Sequence, residues 1–251
     1  MQNDVRRRAI RALCVLAAPF TFAAPAIAAP VPISSETATF CQDGYPINAA
    51  FDGDFSAGSG WAVYGQIGSS QTVAFKASSN VGSGDQTQLV FQLHMFWGAS
   101  HILGKFRLSA TTSGQSTYGQ GATCTDPDPS GSANWTVLHP QSAHSQNGQT
   151  LTILGDGTIL ASGNNPGGDL VTVVVTTPLR GITGFRLEAL ADASFVDSGP
   201  GRADNGNFVL NELTVDASSF SPVPAAGIGI LALMATLIAG AGACRLRRRP
   251  G

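Results

Sequence analysis

GKFRLSA (Gly104–Ala110) and GFRLEA (Gly184–Ala189) decide the fold class. In the first, Phe106, Leu108 and Ala110 alternate with Lys105, Arg107 and Ser109; in the second, Phe185, Leu187 and Ala189 alternate with Arg186 and Glu188. Side chains of an extended strand point to opposite faces in turn, so a period of two marks a strand with one buried face. LTILGDGTIL (Leu151–Leu160) sets Asp156-Gly157 between two apolar runs, a strong hairpin signal. Further strands are expected at Gln71–Ala77, Gln88–Phe96, Trp135–His139, Leu170–Thr176 and Phe208–Val215, and no stretch between them carries a capped helical period. The chain reads as all-β, a sandwich or jelly roll with Gly- and Asp-rich turns.

The two deciding strands also form a weak repeat. Each G-x-F-R-L or G-F-R-L core follows an apolar strand, QLVFQLHM (Gln88–Met95) or DLVTVVVTT (Asp169–Thr177). The body is therefore one large domain or two related halves, 29–122 and 135–220, with TCTDPDPSGSAN (Thr123–Asn134) as the linker.

Outside the body, both termini carry an arginine-flanked apolar run. Arg6, Arg7, Arg8 and Arg11 precede an apolar stretch, Ala12–Phe22, and Ala26 and Ala28 offer small residues at a cleavage site after Ala28. Residues 1–28 thus read as a signal peptide. Residues 221–251 read as a tail whose apolar run, Ala225–Cys244, is long enough for the roughly 30 Å of a hydrocarbon core. Arg245, Arg247, Arg248 and Arg249 follow it, and the positive-inside rule keeps them cytoplasmic and the body outside.

With the ends removed, Lys76, Lys105, Arg107, Arg180, Arg186 and Arg202 face fifteen acidic residues, although the whole chain carries a formal charge of only −2. Such an acidic body lacks the clustered cations that nucleic acid requires. In an oxidising compartment Cys41 and Cys124 either pair or remain as two thiols, and no CxxC or other metal-ligand spacing occurs. No GxSxG elbow, HExxH or P-loop is present, and no pair of carboxylates stands out as acid and base, so the chain reads as a non-enzyme. His94 and His101, seven apart, read as ordinary histidines at a sandwich edge.

The proline motif Pro222-Val223-Pro224-Ala225, the span and the arginine cluster together resemble a PEP-CTERM sorting tail of the VPLPA-like kind, with Val223 where the commonest form has glutamate. That resemblance implies an exosortase-type processing partner, residence in the inner membrane before cleavage, and an envelope or extracellular destination. The body is similar, through Asp43–Gly65, His101–Thr111, Trp135–Gly163, Gly181–Ser194 and above all GPGRADNGNFVLNE (Gly199–Glu212), to a module of the galactose-binding, discoidin-like jelly-roll group. The resemblance implies a fold with glycan-binding relatives and imports no site.

Candidate ligand residues follow from chemistry. Sugars stack on exposed aromatic rings, which nominates Trp61 and Trp97, with Tyr64 and Trp135 behind them. Arg202, Asp204 and Asn205 either read sugar hydroxyls or hold the loop that enters the last strand. Asp52 with Asp54, and Asp126 with Asp128, are candidate Ca²⁺ turns. Two functions stay open: a glycan-binding module, or a structural matrix or adhesion protein without a specific ligand.

Overall fold

A computed structural model describes residues 28–221. The signal peptide expected at 1–28 and the tail expected at 221–251 lie outside them but for one residue each, and no helix among the described residues is long and apolar enough to cross a membrane.

Two antiparallel sheets pack face to face. The first runs in the order β1 (Ala29–Pro30), β14 (Glu212–Phe220), β5 (Gln86–Met95), β11 (Asp169–Thr177), β8 (Ser142–Ser145). The second runs β2 (Ile33–Ala38), β4 (Gln71–Val81), β12 (Ile182–Ala189), β6 (Lys105–Thr111), β10 (Ile159–Gly163), β9 (Gln149–Ile153), with β7 (Trp135–Val137) also paired to β6. A short pair, β3 (Trp61–Ala62) with β13 (Val209–Leu210), closes one end.

Alternation does what the sequence asks of it. In β5, Leu89, Phe91, Leu93 and Met95 are buried while the residues between them are half-exposed, and β11 repeats this with Val171, Val173 and Val175. These side chains meet the inner face of the other sheet, where Phe91 packs edge-on against Phe185 at 5.5 Å and Phe185 lies 5.6 Å from Phe75. Each fully buried Phe contributes on the order of 2–3 kcal/mol by removing its ring from water.

The two similar strands do not found two separate domains. β12 lies between β4 and β6, and β11 between β5 and β8, so both sheets draw strands from each supposed half, and the described residues fall in one compact unit. The matching strands lie side by side about a local two-fold centred on Leu108 and Leu187, which face each other. Phe106 faces Ala189 as Phe185 faces Ala110, a large side chain against a small one each time. Arg107 faces Glu188 as Arg186 faces Ser109. Residues 123–134 are not a free linker. Ala38 N–H donates to Thr123 O, Asp126 N–H donates to Ala38 O, and Cys124 is disulfide-bonded to Cys41 with Cα atoms 5.1 Å apart. Closing a loop of 83 residues stabilises by about 4.5 kcal/mol in the chain-entropy picture.

The hairpin at Asp156-Gly157 forms, but its loop is wider than two residues. Ile153 pairs with Ile159, and Leu154 N–H closes the loop onto Thr158 O at 2.8 Å.

Strand direction sets the two poles of the sandwich. Glu212 faces His94, whereas Phe220 faces Gln86, eight steps and roughly 27 Å away. The connections 96–104, 164–168 and 190–208 gather at the Glu212 pole, together with the 43–60 segment. The chain leaves the described body at the Phe220 pole, where Asp85 N–H donates to Ser221 Oγ.

Candidate functional site

At the Glu212 pole, two asparagines of GPGRADNGNFVLNE fasten loops that are far apart in sequence. Asn211 is fully buried: its Oδ1 accepts from Phe96 N–H (2.5 Å), and its Nδ2 donates to Ser56 O (3.1 Å) and Ser59 O (2.5 Å). Asn207 accepts from Val63 N–H (3.0 Å) and donates to Gln42 Oε1 (3.1 Å). Gly201 is required for contact, because a Cβ there would lie 1.9 Å from Asn207 O. Most of this string therefore builds the pole.

The loops so fastened hold an aromatic ledge. Trp97 is 38% exposed, yet its indole N–H donates to Tyr45 Oη at 2.9 Å, its ring meets Tyr45 edge-on at 6.5 Å, and His101 tilts against it at 4.5 Å. Phe55, half-exposed, meets the His94 ring edge-on at 4.7 Å, and Phe96 adds a third exposed ring. Burial lowers the His94 pKa. Behind Trp97 the backbone takes three left-handed residues in a row: Gly98, Ala99 (φ 47°) and Ser100 (φ 58°). Two of them carry a Cβ, which costs on the order of 1–3 kcal/mol each. The turn is held by Ser100 N–H to Gly167 O (3.1 Å), Ser100 Oγ to Asn165 O (3.2 Å) and the His101 Nδ1–H to Gly98 O (3.0 Å). Strain kept in place by bonds from another loop fixes where Trp97 stands.

Trp61 does not belong to this ledge, contrary to expectation. It is fully buried, packed edge-on against Phe208 at 5.0 Å with its N–H on Phe40 O, because Phe208 and β13 close over the glycine-rich turn that carries it. Trp135 lies half-buried beneath the Arg186 guanidinium at 5.2 Å. Tyr64 is exposed beside Gln42, whose Oε1 accepts the Tyr64 N–H.

Arg202, Asp204 and Asn205 do not converge as one ligand set. Asn205 Oδ1 is taken up by Asn207 N–H within its own turn, and Asp204 is exposed. Arg202 spans two loops: Nη1 donates to Gln149 Oε1 (2.8 Å) and Asn164 O (2.7 Å), Nη2 donates to Gly163 O (2.9 Å), and Arg202 O accepts from Asn165 Nδ2 (3.0 Å). It lines a groove of 370 Å³ together with Ser162, Asn165, Ser194 and Phe195. Ser100 and Asn165 join this groove to the ledge.

The acidic turns are used locally. Asp52 accepts from Asp54 N–H and Asp54 from Ser56; Asp126, buried, accepts from Gly121 and Asp128 N–H, and Asp128 from Gly131. Among the described residues no three His, Cys, Asp or Glu side chains are arranged to hold a metal ion. The residue missed in the sequence is Glu212. It is 5% exposed and accepts from Gly53 N–H at 3.2 Å; burial first, and then the charges of Asp52 and Asp54, raise its pKa to about 7. It borders a second groove of 420 Å³ walled by Pro30–Ile33, Phe51 and Leu213.

No family model and no curated protein matches the chain. Among solved structures it is similar to the family 32 carbohydrate-binding module of C. perfringens NanJ, determined in complex with galactose, with a TM-score of 0.40, 12% identity, and 76% of this chain and 99% of that one covered. It is also similar to a chain of the Streptococcus pneumoniae beta-galactosidase BgaA, with a TM-score of 0.40, 14% identity, and 72% and 89% covered. Likenesses this distant assign no site to this chain.

Proposed function

We propose that the body is a carbohydrate-binding module, a jelly roll of the galactose-binding kind without catalytic activity, exported and sorted to the cell envelope or matrix through an exosortase-processed tail. The observation that carries this reading is Trp97, an exposed indole fixed by Tyr45 rather than free to turn inward. An exposed ring already held in place loses little entropy when a sugar face stacks on it, and the loop carbonyls, amides and hydroxyls around it supply hydrogen bonds to sugar hydroxyls.

The test is a polysaccharide and glycan array probed with the full-length chain in detergent micelles. Wild type is expected to bind at least one glycan class, and Trp97→Ala to lose at least tenfold in affinity with an unchanged circular dichroism spectrum; stacking on one ring is worth that order of affinity. Failure of wild type across the whole array would instead favour the structural matrix role.

A further inference from the structure

We infer that the groove beside Arg202 reads an acidic sugar, specifically the carboxylate of a uronic acid; this rests on the carbohydrate-binding reading and names its ligand class. The argument starts from an inventory of cations. Among the described residues, Lys105, Arg107, Arg180 and Arg186 each sit in an ion pair with a carboxylate, and the Lys76 ammonium donates to Gly119 O. Arg202 is the one guanidinium in the body bonded to neutral acceptors only: two backbone carbonyls and the Gln149 amide oxygen.

Those three bonds employ both Nη1 hydrogens and one Nη2 hydrogen. The Nε–H and the second Nη2–H have no acceptor among the described residues. A carboxylate can take such a pair of donors side by side, as Glu188 does from Nε and Nη2 of Arg107 at 2.9 Å each. The groove itself contains no carboxylate: Leu160, Ala161, Ser162, Asn165, Ser194, Phe195 and Val196 complete its lining. Nearby acids are already committed. Asp169 lies beyond Gln149 and accepts from Ser145 Oγ, Gln149 Nε2 and Asn147 N–H, while Asp192 is paired with Lys105 and bonded to Ser194.

Asp169 acts on Arg202 only through space, across Gln149, and burial outweighs it, so this half-buried cation carries a desolvation cost that an anionic ligand in contact relieves. The acid excess of the rest of the body acts from farther away, where salt at about 0.1 M screens beyond roughly 10 Å. Ser194 and Asn165 add hydroxyl and amide groups for the ring hydroxyls, and Phe195 an apolar wall.

The experiment compares oligogalacturonate with the same oligosaccharide after reduction of its carboxyl groups to alcohols, titrated into the full-length chain in detergent micelles. The acidic form is expected to bind about tenfold tighter, the order for a charge-assisted pair, and to lose that advantage as salt rises. Arg202→Gln removes the charge but also three loop bonds. Ser162→Asp, at an exposed position in the groove wall, leaves those bonds intact and sets a competing carboxylate there, so it is expected to abolish the preference while retaining binding of the reduced form. Equal affinity for the two forms would overturn the carboxylate inference and leave the sugar-binding reading standing; binding of neither form, with no other glycan bound, would overturn both.

Discussion

Replacing Glu212 by glutamine isolates the largest electrostatic liability of the loop pole. With its pKa raised from 4.5 to about 7, the folded state holds a proton that the unfolded chain has lost. The sign is fixed by that order. Stability from this group is complete below pH 4.5, falls as pH rises towards 7, and is gone above it. A gap of about 2.5 units at 1.36 kcal/mol per unit sets an upper limit of about 3 kcal/mol. Glutamine keeps an oxygen for Gly53 N–H but cannot ionise beside Asp52 and Asp54. Its stability relative to wild type should therefore climb from near zero at pH 4.5 to about 2–3 kcal/mol at pH 8. His94, across the strand pair from Glu212, acts in the opposite direction: its lowered pKa makes the native state more stable as pH rises through the range near 6.5. Because His94 is present in both proteins, the difference between them cancels its contribution. Urea unfolding of both proteins at half-unit pH steps, with the disulfide intact and m-values compared, provides the measurement. A difference that stays flat between pH 5 and 8 would refute the reasoning.

Other outcomes follow from the same geometry. Asp192, held by Lys105 and Ser194, has its pKa lowered to about 2, so its contribution is present above the ordinary carboxylate range and lost as pH falls from about 4 towards 2; Asp192→Asn should flatten the acid limb of the stability curve there. Cys41→Ala with Cys124→Ala should cost about 4.5 kcal/mol in denaturant unfolding, and an equal midpoint for the two proteins would show the bridge to be inert. Asn211→Ala strands Phe96 N–H and two carbonyls, so a loss of roughly 2 kcal/mol is expected together with faster hydrogen exchange at residues 56–59 and 96; unchanged exchange there would remove Asn211 as the fastener of the ledge.

Strands with a buried face were legible because their own side chains announce it: the alternation of Gln88–Met95 survives without change in β5, and that of Phe106–Ala110 survives in β6 except at Ser109, which is buried and accepts from the Arg186 guanidinium. β2 was not legible. Its ISSETA has no apolar alternation, and it is a strand because β4 offers it a ladder from Ala77 to Val73. The GFRL repeat was visible, but its meaning was not, since nothing local says that two similar strands pair with each other rather than found separate domains. Trp61 and Trp97 both stand among glycines, and what separates them lies elsewhere in the chain: Phe208 covers one and Tyr45 props the other outward. Glu212 was silent for the same reason, because the Gly53 N–H that accompanies its burial is 159 residues away.

The three tryptophans offer the most direct test of the central claim, because their indole N–H groups give separable signals in a nitrogen-15 correlation spectrum and only Trp97 stands on the ledge. On titration with a glycan the array identifies, the account predicts that the Trp97 resonance shifts and saturates while those of Trp61 and Trp135 stay in place. A saturating titration that leaves Trp97 unmoved would contradict it.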